Sequence, residues 1–319
     1  FRFHVPVISV GNLNVGGSGK TPMIEYLIRL LKDSEQLATL SRGYGRNTKW
    51  LRFAGDQETA LSLGDEPFQI YKKCGDEVNV VVGEDRVFAI PNILHEYADT
   101  SVILLDDAFQ HRAVKPHYSI LVTEYAKPFF EDFLLPAGNL REARKGASRA
   151  DVIVVTKCPD QLTQDDMRMV TAGIKHYADK PIFFSKVNYG ERAHFAGSKN
   201  EHVHEVVLIS GIANADGFEK YCASVYNVIK HFHFADHHRY TISEIAALRK
   251  FVVDHNRPVT VITTEKDSVR LLVPEFMNEL TRLSCYYLPI KMEFLINGSE
   301  FDKRIADAIK QSKQDSDYL

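Results

Sequence analysis

The feature that most restricts the fold is the stretch VGNLNVGGSGKT, residues 10–21, in which an apolar run ends in a glycine-rich loop closing on Gly19-Lys20-Thr21. The following residues, TPMIEYLIRLLKD, carry apolar side chains at helical spacing, with Pro22 tolerated in the first turn. A loop between a strand and a helix binds phosphate because its backbone N–H groups surround the anion, while a lysine adds charge and a hydroxyl reaches Mg²⁺. The stretch therefore predicts a site for a nucleoside triphosphate.

We predict that the whole loop contacts the nucleotide. The pattern G-x-x-x-x-G-K-[ST] has a first glycine where this chain has Asn14, a residue that also tolerates left-handed backbone angles and can make the turn. A glycine-rich loop without a ligand is disfavoured by the strand before it and the helix after it. The predicted nucleotide-binding residues are Asn14, Val15, Gly16, Gly17, Ser18, Gly19, Lys20 and Thr21.

A second element, SVILLDDAFQH, leads an apolar run into Asp106-Asp107 at the expected carboxyl end of a parallel strand. Ligands of open α/β sheets bind at that end, and an acidic residue there holds Mg²⁺ in phosphate-loop enzymes. The alternative is an aspartate that only caps the next helix, which the nearby phosphate loop makes less attractive. We predict Thr21, Asp106 and Asp107 as the metal site.

The first half of the chain repeats short β-branched runs, polar loops and longer amphipathic stretches, which is typical of parallel βα units. We predict an α/β fold: a P-loop NTPase-type, mostly parallel sheet flanked by helices, with a second, smaller α/β domain. The predicted domains are a core that contains the phosphate loop at 1–186, a linker hairpin at 187–204 and the smaller domain at 205–319. The predicted strands of the first half are Val5–Val10, Ala38–Ser41, Val78–Val82, Val102–Leu105, Ser119–Val122 and Val152–Thr156.

Composition excludes several classes of protein. A formal net charge of −3 argues against general nucleic-acid binding, and no apolar run approaches the length of a spanning helix. The four cysteines lie far apart without a C-x-x-C pair, which indicates reduced, buried thiols in the cytosol. The chain begins at Phe1 and a strand follows almost at once, so we expect a missing segment upstream.

Three further motifs are ambiguous as structure alone. In LGDEPFQIY, Asp65 and Glu66 can be simple charges at a helix N-terminus. In FADHHRYT, the pair His237 and His238 fits a surface feature as well as a catalyst, and LPAGNLREARKGASRAD reads as a solvated charged helix.

Taken together, the motifs resemble the tetraacyldisaccharide 4'-kinases of lipid A biosynthesis. The resemblance rests, in order, on VGNLNVGGSGKTP, SRGYGR, GDEP, DDAFQHR, LPAGNLRE, FADHHRYT and TTEKDSVRL, which span Val10 to Leu271. Because several of these motifs are peculiar to that family, the match is far more specific than a phosphate loop. The family's loop also commonly lacks the first glycine.

The resemblance implies transfer of the ATP γ-phosphoryl group, with Mg²⁺, to the 4'-hydroxyl of an acylated glucosamine disaccharide 1-phosphate. The product is the bisphosphorylated lipid A precursor. It also implies peripheral contact with the cytoplasmic face of a bacterial inner membrane, partly through an upstream hydrophobic helix. Apolar residues of KPFFEDFLLP can help engage lipid, although a buried loop anchor explains them equally well: Phe129, Phe130, Phe133 and Leu134.

Roles for individual residues follow from the resemblance. Lys20 holds the β and γ phosphates, Thr21 binds Mg²⁺, and Asp106-Asp107 is the acidic pair at the metal and nucleotide. Asp65 is the general base, supported by His237. The residues expected to line the reacting site are Arg86, Arg141 and Glu142, with Ser41, Tyr44, Gln110 and His111 at its rim.

Two other functions remain open at this point. A regulatory P-loop ATPase or GTPase is one, because VVTKCPD is similar to the guanine-reading N-K-x-D element; however, Thr156 replaces the asparagine and Asp160 falls one place late. The other is a protein that binds nucleotide without turnover, which Asp65, Asp106 and His237 disfavour. The Lys-Asp pair of TTEKDSVRL fits a nucleotide or phosphate contact and stays unassigned.

Overall fold

The computed structural model describes residues 1–255 and 257–316, which form two compact units. The strands are β1 Val7–Gly11, β2 Leu37–Ser41, β3 Arg52–Phe53, β4 Val78–Val82, β5 Val102–Asp106, β6 Tyr118–Glu124, β7 Val152–Thr156, β8 Ile182–Tyr189, β9 Ala193–Gly197, β10 Glu205–Ser210, β11 Asn227–His233, β12 Val259–Thr264, β13 Ser284–Leu288 and β14 Ile290–Phe294. The helices are α1 Lys20–Leu31, α2 Ala60–Leu63, α3 Asp65–Cys74, α4 Arg86–Glu96, α5 Gln164–Lys175, α6 Asp216–Val225, α7 Ile242–Val253, α8 Glu265–Leu271, α9 Pro274–Leu280 and α10 Gly298–Ser316, with a 3₁₀ helix at Arg144–Arg149.

The first unit comprises Phe1–Asn188 and the segment that starts at Lys291. Its sheet has the order β14-β8-β7-β6-β1-β5-β2-β4-β3, and neighbouring strands from β8 to β4 pair in parallel. The runs of valine, isoleucine and leucine in these strands suit a sheet that is buried on both faces. One face packs against α1 and α10 through Ile24, Leu27, Phe301 and Ile305. On the opposite face α4 contributes Ala89, Ile90 and Ile93.

The chain approaches itself closely where β1 ends. A Cβ atom on Gly11 would lie 2.6 Å from the Cβ of Phe109, so only glycine fits beside the loop that follows β5. This contact brings the end of β1 and the end of β5 together at the carboxyl edge of the sheet, where Val10 is in register with Asp106.

The second unit, Tyr189–Ile290, is a five-stranded sheet with the order β11-β10-β12-β13-β9. Its first four strands are parallel, and β9 pairs antiparallel with β13. Its core includes Val207, Ile245, Leu248 and Val261 on one face of the sheet. The predicted smaller α/β domain is therefore present.

The predicted fold class is confirmed, and all six predicted strands of the first half are present with ends that differ by at most two residues. Two boundaries differ from the predicted ones. Residues 291–316 pack in the first unit, because α10 supplies apolar side chains to its core. The segment 187–204 is not a hairpin, since β8 pairs with β7 whereas β9 pairs with β13.

Among the described residues, no helix combines the length and the apolar character needed to cross a membrane. The four cysteines are buried and unpaired, as the sequence predicts: Cys74, Cys158, Cys222 and Cys285.

Candidate active site

The glycine-rich loop lies between β1 and α1 at the carboxyl edge of the first sheet. Gly16 and Gly19 have left-handed φ values of 100° and 89°, which other residues adopt at a cost. Val15, Gly16 and Gly17 are exposed, whereas Lys20 and Thr21 begin the helix and are half-buried. The loop therefore presents its backbone to a ligand in front of a helix N-terminus, which favours an anion.

Asn12, which sequence reasoning missed, holds the loop in shape. Its fully buried side chain donates to the backbone oxygen of Asn14 at 2.7 Å and to Ser18 Oγ at 2.6 Å, and its Oδ1 accepts from Lys20 Nζ at 3.3 Å. Arg141 also donates to Asn12 Oδ1. The signal for it was present, because Asn12 is a polar residue directly after a buried apolar strand.

Asn14 does not make the left-handed turn that its residue type allowed, since its φ is not among the positive values of the described chain. Instead its side chain donates to Asp132 Oδ2 at 2.8 Å. The next backbone N–H, that of Val15, donates to the oxygen of Asn139 at 2.8 Å. Hydrogen bonds to residues 132–140 thus hold the start of the glycine-rich loop in place. The left-handed residue of its turn is Gly16, not Asn14.

Asp107 joins the loop to Arg141. Its Oδ1 lies 3.7 Å from Lys20 Nζ, and its two oxygens accept from Arg141 at 2.7 and 3.1 Å. Burial favours a raised pKa for Asp107, but Lys20 and Arg141 outweigh it and lower that pKa below its ordinary value. Arg141 also donates to the backbone oxygen of Asn12 at 3.1 Å, so one guanidinium connects the loop and the carboxylate.

Asp106 is the least solvated acid at this edge, with 2% of its surface exposed. Burial raises its pKa to about 7, the carboxylates of Glu66 and Asp107 add to the rise, and Lys20 opposes it. Its Oδ1 has no hydrogen-bond partner. A buried oxygen without a partner is rare, and a bound cation or ligand is one of the few explanations for it.

Asp65 begins α3, where Gly64 precedes it with a φ of 96°. A Cβ atom on Gly64 would lie 3.1 Å from the backbone of Gly43, so α3 begins beside the loop that follows β2, the strand next to β5. The sequence singled out Asp65 and treated Glu66 only as a helix charge, so the effect of Glu66 on the pKa of Asp106 is a finding of the structure.

Arg86 begins α4 and is 3% exposed. Burial and the charge of Arg42 lower its pKa, while the charges of Asp106 and Asp107 act in the opposite direction. Glu142 instead accepts from Gln110 at 2.9 Å and from Arg149 at 2.8 Å, and Gln110 also donates to the oxygen of Asn12 at 2.8 Å. Glu142 thus joins the site through Gln110.

Buried polar atoms without a partner gather among the predicted site residues. Within the described residues they include the Nε atoms of two arginines, one amide oxygen, one imidazole nitrogen and one hydroxyl, besides the carboxylate already described: Arg86, Arg141, Gln110, His111, Ser41 and Asp106. Burial lowers the pKa of His111, and Arg86 adds to that effect. Tyr44 is 70% exposed in the loop beside α3. Such a set of polar atoms suits a polar ligand.

His237 lies in the second unit and has a left-handed φ of 57°. Its imidazole Nε2 is 3.3 Å from Lys266 Nζ and its Nδ1 is 3.3 Å from Arg270 Nη2. The TTEKDSVRL motif, unassigned from sequence, therefore supplies two cationic neighbours of His237.

Comparison with known proteins adds an independent observation. The sequence model of the family described as LpxK, tetraacyldisaccharide-1-P 4'-kinase, matches residues 1–310. The chain belongs to the LpxK family. The resemblance drawn from the motifs is confirmed.

Individual LpxK relatives match nearly the full length. A protein of Flavobacterium johnsoniae named tetraacyldisaccharide 4'-kinase is 40% identical over 97% of this chain and 89% of its own length. A protein of the same name from Phocaeicola vulgatus is 37% identical over 99% of this chain and 89% of its own length. A crystal structure of LpxK from Aquifex aeolicus in complex with ATP matches with a TM-score of 0.73 and 29% identity, over 97% of this chain and 90% of that one.

Proposed function

We propose that this chain transfers the γ-phosphoryl group of ATP to the 4'-hydroxyl of tetraacyldisaccharide 1-phosphate, giving the bisphosphorylated lipid A precursor. Membership of the LpxK family supports the reaction, and the relative crystallised with ATP supports the donor. The observation in the structure that carries the proposal is the Lys20–Asp107–Arg141 cluster beside the loop, next to the unpartnered oxygen of Asp106. This is an arrangement for neutralising a polyphosphate.

The glycine-rich loop and the neighbouring cationic side chains would bind the phosphates of ATP and stabilise their charge. The backbone N–H groups of residues 16–19 and the Lys20 ammonium hold the β and γ phosphates. Arg141 reaches the same region and stabilises negative charge that spreads over the transferred group. Arg86 adds a further positive charge to the edge of the site.

The residues present fit Mg²⁺. No group of three or more histidine, cysteine, aspartate or glutamate side chains is arranged to hold a metal within residues 1–255 and 257–316. That suits Mg²⁺, which keeps several waters and binds through one or two carboxylates together with substrate phosphates. Asp106 has the available oxygen and Thr21 the hydroxyl at the helix start, while Asp107 is engaged by Lys20 and Arg141. When bound, Mg²⁺ would neutralise phosphate charge.

Asp65 is our proposed general base. The 4'-oxygen forms a bond to the γ-phosphorus, the bond from that phosphorus to the β,γ-bridging oxygen breaks, and ADP leaves while the hydroxyl proton passes to Asp65. The position of Asp65 supports this role, because its helix begins beside the loop that follows β2, the strand next to β5. The supporting role of His237 stays a prediction, to be tested by whether His237→Ala lowers turnover.

The deciding experiment is incubation of the protein with radiolabelled ATP and the disaccharide 1-phosphate, with the lipids separated by chromatography. We expect label on the sugar lipid. Release of free phosphate at the same rate with and without the lipid would instead favour a regulatory ATPase.

Asp65→Ala should lower kcat by about 10²–10⁴-fold and leave ATP affinity nearly unchanged, because a base acts on the acceptor. Asp76→Ala is the matched control, since Asp76 is exposed just after the same helix. An Asp65→Ala protein that keeps most of its turnover would remove Asp65 from the role.

We also propose peripheral membrane contact, on the cytoplasmic face of a bacterial inner membrane, through Phe133, Leu134 and Leu135. They are 63%, 50% and 54% exposed and consecutive, and an acylated substrate resides in a bilayer. Phe129, expected to share this role, is 1% exposed and belongs to the core, and Phe130 packs against Gly173.

The membrane proposal is tested by flotation with vesicles of anionic phospholipid. Replacing the three exposed residues by serine should reduce binding, whereas Met169→Ser, at a residue 67% exposed on α5, should not. Equal binding by both variants would contradict the proposal.

A further inference from the structure

The carboxyl end of β7 contacts the glycine-rich loop from the side away from β5. Thr156 Oγ1 donates to the backbone oxygen of Ser18 at 2.7 Å and to that of Thr123 at 3.2 Å. A Cβ atom on Gly19 would lie 3.2 Å from the Thr156 side chain, so the two backbones approach closely. The end of β7 is therefore part of the loop's wall.

Lys157, the next residue, is directed at the loop. Its backbone is left-handed with a φ of 55°, which is uncommon for a lysine. Its Nζ lies 4.0 Å from the position a Cβ atom would take on Gly17, an exposed residue of the loop. Glu124, at the end of β6, pairs with this ammonium at 3.4 Å. The cation is thus fixed beside the loop's backbone.

The order of strands decides which part of a nucleotide Lys157 meets. Across the sheet the strands run β7-β6-β1-β5, so Lys157 and Asp106 stand on opposite sides of the loop. Adjacent strands are about 4.8 Å apart, which places the end of β7 about 10 Å from that of β1. The γ-phosphate belongs on the β5 side of the loop, where Asp106, Asp107 and Arg141 lie. The nucleoside end of the molecule must then extend toward β6 and β7.

We propose that Lys157 binds the nucleoside end of ATP, with its ammonium donating to ribose oxygens and its apolar stem packing on the base. The inference rests on the proposed function, because it takes the loop to bind ATP. Glu124 acts as a positioning residue for the ammonium. Of the N-K-x-D element that reads guanine, VVTKCPD retains only this lysine in place. Asp160, which would have to bind the base, instead pairs with Lys186 at 2.8 Å and is mostly exposed.

The test measures the affinity of ATP and of inorganic tripolyphosphate for the wild type and for Lys157→Ala by calorimetry, without lipid. Removing a charge-assisted hydrogen bond to the ribose should weaken ATP binding about tenfold and leave tripolyphosphate binding unchanged. In the kinase assay KM for ATP should rise with kcat unchanged. An equal loss of affinity for both ligands, or no loss for ATP, would overturn the proposal.

Matched variants separate binding from structure. Lys186→Ala removes another lysine–carboxylate pair, that of Lys186 on the neighbouring β8 with Asp160, and should leave ATP affinity unchanged. Lys157→Arg should recover part of the affinity. The thermal midpoint of Lys157→Ala without nucleotide should match that of Lys186→Ala. Because calorimetry needs no turnover, a protein that binds ATP through Lys157 but labels no lipid would refute the proposed reaction alone.

Discussion

Asp106 in the first unit and Asp267 in the second are both buried aspartates beside the carboxyl end of a parallel strand, yet their surroundings are opposite. Asp267 is 0% exposed, and its oxygens accept from Gly211 N at 2.9 Å, Thr264 Oγ1 at 2.7 Å and Arg270 Nη1 at 2.8 Å. Asp106 is 2% exposed and leaves Oδ1 without a partner. Equal burial thus accompanies very different hydrogen bonding.

This difference in hydrogen bonding indicates that Asp267 maintains the structure, whereas Asp106 is available to a ligand. A buried carboxylate with all its partners in the protein holds loops together, as Asp267 does around α8. A buried carboxylate without them is costly, and that cost persists only where another requirement keeps it. The comparison predicts that Asp106 matters for reaction and Asp267 for stability.

The largest expected effect is on turnover in Asp106→Asn. Loss of the charge should lower kcat/KM by about 10³-fold, because the Mg²⁺ site that we propose would lose the carboxylate assigned to it. The thermal midpoint without ligand should stay equal or rise. Initial rates check the fall in kcat/KM and melting curves check the thermal midpoint, with Asp76→Asn as the control. A clearly lower midpoint for Asp106→Asn would contradict the proposed difference between Asp106 and Asp267.

Asp267→Asn should act in the reverse way, through stability. Removing the charge of Asp267 from its buried ion pair with Arg270 should cost about 3 kcal/mol in the free energy of unfolding. Urea titration measures this loss. If the loss is within about 0.5 kcal/mol, Asp267 does not maintain the second unit.

The pH dependence sharpens the contrast. The pKa of Asp106 is raised to about 7 from an ordinary 3.8, so between these values the folded protein keeps a proton that the unfolded chain has released. Stability should therefore fall as the pH rises through this window, by on the order of 4 kcal/mol, and level off above it. Melting curves measured without nucleotide over this pH range should show the fall in stability for the wild type and no such fall for Asp106→Asn. If the stability of Asp106→Asn still falls with rising pH, other titratable groups cause the fall.

The smallest effect concerns one partner of Asp267. Thr264 caps α8 by accepting from the backbone N–H of Asp267 at 3.1 Å, and it also donates to that carboxylate. Thr264→Ala should cost about 1 kcal/mol or slightly more. Thr163→Ala, which removes a similar cap from an exposed helix start, should cost less in the same urea titration.

The sequence was most informative where chemistry requires particular residues in a fixed order. The loop, Asp106-Asp107 and the parallel strands all follow from local patterns, because a phosphate loop needs glycine and a buried parallel strand needs an apolar run. Their placement at one edge follows from topology. These predictions needed no knowledge of distant contacts.

The remainder depends on contacts that local patterns do not carry. Asn12, Thr156 and Lys157 act on the loop through side chains whose partners become neighbours only when the sheet assembles. Likewise α10 is amphipathic in sequence, but nothing in its own residues says which unit its apolar face will join. Both the missed site residues and the displaced domain boundary have this origin.

The return of the chain through β14 and α10 has a consequence for synthesis. Phe301, Ile305 and Ile309 complete a core that also contains Ile24 and Leu27, nearly the length of the polypeptide apart. A ribosome therefore releases the whole second unit before it makes the last pieces of the first. The first unit must wait with part of its apolar interior uncovered until α10 has been made.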